Sequence, residues 1–227
     1  MTPPLHVKHL GTVPYVDGLR IQRELREARL RDDVEDTLLL LEHPPVITVT
    51  RRHGRANVLV DDATLAARGV ELHEADRGGD VTAHAPGQLV AYPVVKLHGA
   101  EKDLPRYVRN LEGAVIDVLA QYGLVGVRVP GESGVFMEPT VEGGRLEKVC
   151  AIGVKGTRWV MSHGLALNVR TDLSVFSLIV PCGLQHRGVT SLRERLGEGA
   201  PSVGEAGVRL AEALARSLGR MLAAPGQ

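Results

Sequence analysis

Two periodicities run along this chain. Leu104, Val108, Leu111, Val115, Val118 and Tyr122 recur at spacings of three and four, the period of a helix that turns one apolar stripe to a core. Asp103 stands at the capping position, Pro105 in the first turn and Gly123 just past the end, so a helix is predicted over 103–122. A second helix is predicted from Ser202-x-x-Glu205 onward, with Leu210, Leu214, Leu218 and Met221 on one side. A third is predicted over 12–31, with Thr12 as cap, Pro14 in the first turn and a polar face of Glu and Arg. Shorter helices are expected over 61–68, between Asp61 and Gly69, and after Ser191-x-x-Glu194, with one helical turn over 172–176.

Continuous or alternating apolar runs predict strands over 36–43, 46–50, 70–75, 89–97, 125–129, 134–138, 146–155 and 160–169. Pro44-Pro45 separates the first two. The segment 77–88 reads as a glycine-rich entry to a hairpin-like unit completed by the strand at 89–97. Strands joined by short turns, helices placed irregularly and no strict βαβ alternation give an α+β class: a mixed, largely antiparallel sheet flanked by helices. Residues 1–200 are expected to form the main domain, and 201–227 a C-terminal helix packed on it.

Composition narrows the function classes. A chain of 227 residues, 44% of them hydrophobic, suits one large domain. A formal net charge of zero argues against a general nucleic-acid binder. No apolar run approaches the roughly 18 residues of a membrane span, and the first residues carry no secretory pattern. Two cysteines at this length make no disulfide framework, so a reducing, cytoplasmic setting with free thiols is expected. No GxxxxGK[ST] and no strand-borne GxGxxG is present, which removes the common nucleotide-binding loops.

The chemistry gathers in 145–192. Cys182 sits in a Pro-Cys-Gly loop after an apolar run, where a carbonyl could approach it. Lys148 is one of only five lysines among 27 basic residues, and lysine, unlike arginine, can be tuned to exchange a proton. Cys150 is two residues from Lys148 on a strand and shares its face, but its apolar setting is that of a packing thiol. A strand-end lysine reaching water is the plain alternative for Lys148. His84, alone, reads as a hydrogen-bonded structural residue. A zinc site of His84, His163 and Cys182 has no spacing support. A cysteine hydrolase would need Cys182, His163 and Asn168 to converge. Arg51, Arg52, His53 and Arg55 read as a solvated turn, or else as a docking patch for an acidic partner.

Taken together, Arg77-Gly78-Gly79-x-x-Thr82-x-His84-x-Pro86-Gly87-Gln88-x-x-x-Tyr92-Pro93, Lys148-x-x-Ala151-Ile152-Gly153-Val154, His163-Gly164-x-Ala166-Leu167-Asn168-Val169 and Pro181-Cys182-Gly183 with Gly188-Val189-Thr190-Ser191 resemble the signature of the lipoyl(octanoyl) transferases. The resemblance runs from about Leu38 to Leu196. It implies the fold of the biotin/lipoate protein ligase catalytic domain. It also implies octanoyl transfer from octanoyl-acyl carrier protein to the lysine amine of apo lipoyl domains, those of 2-oxoacid dehydrogenase E2 subunits and of the glycine cleavage H protein. No cofactor is implied, because a thioester arrives activated. Cys182 would be the acyl-thioester nucleophile and Lys148 its acid/base partner. Arg77, Gly78, Gly79, Asp80, Val81, Thr82, Ala83, His84, Ala151, Ile152, Gly153, Gly164, Leu165 and Ala166 would line the acyl and substrate site. Backbone N–H groups at Gly78, Gly79 and Gly153 are the expected oxyanion donors. An ATP-dependent ligase of the same fold and a non-catalytic carrier-binding module are the rival readings.

Overall fold

The computed structural model describes residues 2–51, 54–141, 143–180 and 188–224. Its frame is a large mixed sheet. In chain order the strands are β1 (Pro4–Thr12), β2 (Asp36–Glu42), β3 (Val46–Thr50), β4 (Glu71–Ala75), β5 (Thr82–His84), β6 (Gln88–Val94), β7 (Val135–Met137), β8 (Glu147–Thr157), β9 (Val160–Asn168), β10 (Gly188–Val189) and β11 (Met221–Leu222). The large sheet runs β10-β8-β9-β6-β2-β1-β11, with β7 also paired to β8. Its centre, β8-β9-β6-β2, is antiparallel, while β10, β1 and β11 join in parallel. The small sheet is β4-β3-β5.

Alternation along β2 shows why its apolar run is unbroken. Leu38 and Leu40 point into the main core, and Leu39 and Leu41 into a second cluster on the opposite face. A strand covered on both sides has no polar face to offer. The main core is sealed by α3 (Leu104–Gln121) and α5 (Val203–Ser217), which pack on each other and contribute Leu111, Val115, Val118, Leu210 and Leu214. On the other face lies α1 (Tyr15–Leu30), with Ile21 and Leu25 against Leu39, Val90 and Tyr92. The short helices are α2 (Asp62–Ala67) and α4 (Leu192–Leu196). Asp61, Asp103, Ser191 and Ser202 cap as the sequence indicated, each accepting a backbone N–H with its side chain.

Four expectations need correction. Residues 125–129 form no strand, and Val127 makes only an isolated bridge to Phe136. Residues 4–12 are a strand, and Thr12 ends it rather than capping a helix; α1 starts after Pro14. The last helix ends at Ser217, so Met221 is not on its apolar side; it lies exposed in a short strand, β11, that pairs with β1, Pro4 opposite Met221. The segment around 77–97 is not a hairpin: β5 pairs with β3 in the small sheet and β6 with β2 and β9 in the large one. The turn at 85–87 carries the chain from one sheet to the other. Among the described residues no helix is long and apolar enough to cross a membrane.

Candidate active site

The step between the two sheets leaves a cleft that is open to solvent at one side and narrow within. Its walls come from the start of α1 (Tyr15), the link before β5 (Arg77, Gly79), β5 (Thr82, His84), β6 (Tyr92), β8 (Lys148, Ala151, Ile152, Gly153) and β9 (His163, Gly164, Leu165, Ala166). Eleven of the expected site residues are therefore gathered around one space: Arg77, Gly79, Thr82, His84, Lys148, Ala151, Ile152, Gly153, Gly164, Leu165 and Ala166.

Four others stand behind the wall. Val81 and Ala83 are fully buried in the core under the small sheet. Gly78 donates its N–H to Val154 O at 2.9 Å, so that hydrogen is engaged with β8 and not directed into the cleft. Asp80 accepts from the Asn57 side chain, and Asn57 O in turn receives the Val180 N–H at 2.8 Å. Asp80 thus braces the point where the chain enters the segment carrying Cys182. Cys182 itself lies outside the described residues, as do Arg52 and His53.

Glycine is dictated at two wall positions by close backbone approach. A Cβ on Gly153 would lie 2.7 Å from Gly78 O. One on Gly164 would lie 2.2 Å from Ala91 O. Gly78 crosses Gly153 closely, and a Cβ of its own would lie only 3.3 Å from Val154 O, while Gly79 takes a positive φ of 91° that favours glycine.

Lys148 is 8% exposed. Its Nζ donates to Ser133 O at 3.3 Å and sits 4.8 Å from the centre of the Phe136 ring, a cation–π contact. The strand leaving the Cys182 segment is laid alongside: Val189 pairs with Lys148, and Thr190 N–H donates to Lys148 O at 3.1 Å. Cys150 is buried in the main core, and burial pushes its thiol far above the ordinary range. Its Sγ meets Ala151 O at 3.6 Å.

The rings at the back of the cleft form a fixed array. His43 donates from Nδ1 to Val13 O at 2.6 Å, and a carbonyl can only accept. Its Nε2 is then the acceptor for the Tyr92 hydroxyl at 2.9 Å. Burial lowers the His43 pKa and raises that of Tyr92, which keeps both neutral. Tyr15 stacks on His84 with centroids 6.1 Å apart, and burial pushes its hydroxyl pKa up to about 12.

His163 takes a positive φ of 57° inside β9, a conformation costly for a residue with a Cβ and seen where surroundings over-determine it. Its N–H donates to Gln22 Oε1 at 2.8 Å and its Nε2 meets Asp76 Oδ1 at 2.7 Å. Asp76 also holds Lys155, and hydrogen bonds from both partners keep its carboxyl well below the usual range. The Cys–His–Asn reading needs His163 and Asn168 together. Asn168 instead faces Gln88 and Thr190. Among the described residues no three His, Cys, Asp or Glu converge as a metal site. The basic turn is neutralised locally, Arg51 by Glu74 and Arg55 by Asp62, in keeping with the solvated-turn reading. Sequence reasoning missed Tyr15, His43 and Asp76. Only the position of Asp76, directly before the Arg77 motif, offered a signal.

Comparison with known proteins agrees with this geometry. The profile of the lipoyl protein ligase A/B catalytic domain matches residues 14–215. An octanoyltransferase of Chloroflexus aurantiacus is 53% identical over 207 residues, 91% of this chain and 90% of that one. A crystal structure of lipoate-protein ligase A bound with ATP superposes with a TM-score of 0.72 at 17% identity, over 99% of this chain and 89% of the other. A biotin protein ligase from Aquifex aeolicus, in complex with biotin and ATP, does so with 0.54 at 14% identity, over 94% and 70%. These two structures bear out the expected ligase-like α+β architecture, whereas the close sequence relation is to octanoyltransferases. The chain belongs to the octanoyltransferase family, built on the lipoyl protein ligase A/B catalytic domain.

Proposed function

We propose that this chain moves an octanoyl group from octanoyl-acyl carrier protein to the lysine amine of apo lipoyl domains, those of 2-oxoacid dehydrogenase E2 subunits and the glycine cleavage H protein, through a thioester on Cys182. The observation that carries this reading is the setting of Lys148. A nearly buried amine stands at the wall of a cleft lined by Ala151, Ile152, Leu165 and Ala166, with the strand that leaves the Cys182 segment beside it. Burying such a group costs free energy that packing alone does not repay. The relation to an octanoyltransferase supports the acyl group.

In the first step Lys148 takes the Cys182 thiol proton and Sγ attacks the thioester carbonyl carbon. The carbon–sulfur bond to the carrier breaks, and the carrier thiolate leaves with the proton returned by Lys148. In the second step the acceptor amine attacks the octanoyl-Cys182 carbonyl, Lys148 takes a proton from the attacking nitrogen, and Cys182 departs and is reprotonated. An amide replaces a thioester, so the second step runs downhill. The donor is already activated and ATP has no part, which separates this reading from a ligase. The apolar wall houses the alkyl chain, and the reducing cytoplasm keeps the thiol available.

The test is incubation with octanoyl-acyl carrier protein, without ATP and without acceptor. Intact mass spectrometry should find one octanoyl group on the wild type and none on Cys182→Ala. Unmodified protein with turnover intact on adding acceptor would mean direct transfer, and an ATP requirement would mean a ligase.

A further inference from the structure

A file of three buried side chains leaves the cleft at His84 and ends on the strand that follows the Cys182 segment. His84 Nδ1 meets Gln88 Oε1 at 2.7 Å, Gln88 Nε2 meets Asn168 Oδ1 at 2.9 Å, and Asn168 Nδ2 meets Thr190 O at 3.0 Å. His84, Gln88, Asn168 and Thr190 are all buried.

The direction of every bond in the file can be deduced. Thr190 O is a backbone carbonyl and can only accept, so the Asn168 amide nitrogen faces it and Asn168 Oδ1 faces Gln88. Ala83 O accepts from the Gln88 nitrogen at 3.2 Å, which fixes the Gln88 amide as well. Gln88 Oε1 must then face His84, and His84 Nδ1 must carry a hydrogen. The donors all point the same way, an arrangement in which each bond polarises the next. Burial holds the His84 pKa down to about 3, so the ring stays neutral and Nε2 keeps its lone pair. That ring lines the cleft.

A lone-pair nitrogen at the wall of this cleft calls for a hydrogen-bond donor from whatever binds there. The reacting atoms of an acyl thioester have none, whereas the attacking amine has. Building on the octanoyl-transfer reading above, we propose that His84 Nε2 accepts a hydrogen bond from the acceptor lysine's amine, and that Gln88 and Asn168 are positioning residues. They hold His84 in the Nδ1–H tautomer and tie it to Thr190, which is also bonded to the backbone of Lys148. His84 takes no proton; it orients the nitrogen lone pair toward the octanoyl carbonyl, and the proton still goes to Lys148.

Long-range proton–nitrogen NMR of the folded wild type should show His84 protonated at Nδ1 alone. In Gln88→Met, close in size but without the acceptor, that single tautomer should be lost. Single-turnover transfer from octanoylated Gln88→Met to a lipoyl domain should slow by about tenfold, the order expected for one misplaced hydrogen bond at the transition state. Acylation by octanoyl-acyl carrier protein should be nearly unchanged, and so should the KM for the lipoyl domain. Equal slowing of both half-reactions would overturn the proposal, and so would a wild-type His84 protonated at Nε2. The tautomer measurement needs only the wild type, so it decides even if Gln88→Met does not fold. Absence of any octanoyl mass on the wild type would instead sink the thioester relay, while the NMR result would still report on His84.

Discussion

Lys148 and Cys150 are neighbours on one strand with opposite environments. Lys148 opens on the cleft; Cys150 is enclosed by the main core. Lys148→Arg keeps the positive charge but removes the exchangeable proton. Octanoyl transfer should fall by about 100-fold or more, the usual worth of acid/base catalysis, with little change in melting temperature. Cys150→Ala should do the reverse. It should keep most activity and lose about 1–2 kcal/mol in urea unfolding, from a small cavity in a closed core. At this scale the sequence was informative about which residue types gather, because glycine, histidine and lysine stood in distinctive blocks. It was silent on conformation: nothing in Ser-His-Gly announces that His163 twists to a positive φ, since the cause, Gln22 on α1 and Asp76 before β5, lies far away in the chain.

Among the elements, those with strong local patterns were legible. The stripe of α3, the caps of α2 and α5 and the apolar runs of β2, β8 and β9 stand where the sequence put them. β1 escaped because of its edge-like exposure: Leu5 is its one fully buried side chain, and the positions around it are polar or half-exposed. β11 is two residues long and has no pattern to read. The false hairpin had another cause. Two successive strands with a turn between them look paired, and only long-range register shows that each belongs to a different sheet. Close strand contact gives a test here. In Gly164→Ala the new methyl would meet Ala91 O and the Pro93 ring. Neither neighbour can give way cheaply, so a loss near 3 kcal/mol is expected in urea unfolding. Ser202→Ala removes a reciprocal capping box and should cost about 1 kcal/mol by the same measurement.

Across the whole molecule, one buried ion network joins segments that are distant in sequence. Arg220, just before β11, donates to Asp36 on β2 at 2.8 Å, to Glu101, and to Lys96 O at 3.1 Å, while Arg29 of α1 holds the other oxygen of Asp36 at 2.8 Å. Arg220→Met would leave Asp36 short of a partner in a dry site, and a loss of about 3–5 kcal/mol is expected. Glu101 supplies an acid dependence. Its hydrogen bond to Arg220 lowers its pKa in the folded state. The stabilisation is therefore complete above the ordinary glutamate value of 4.5 and fades as pH falls through the lower folded value. Glu101→Gln should flatten stability against pH below about 4.5 and leave the neutral-pH pH dependence alone, as followed by circular dichroism.

The crossing of Gly78 over Gly153 has a bearing on how this enzyme could change its diet. A pocket is ordinarily retuned by trimming or fattening a side chain, one carbon at a time, but that stretch of wall is bare main chain and offers nothing to trim. On the acyl-site reading proposed above, any drift toward longer or shorter acyl groups would have to be made at Ala151, Ile152, Leu165 and Ala166, leaving the crossing as a fixed stop in an otherwise adjustable gauge.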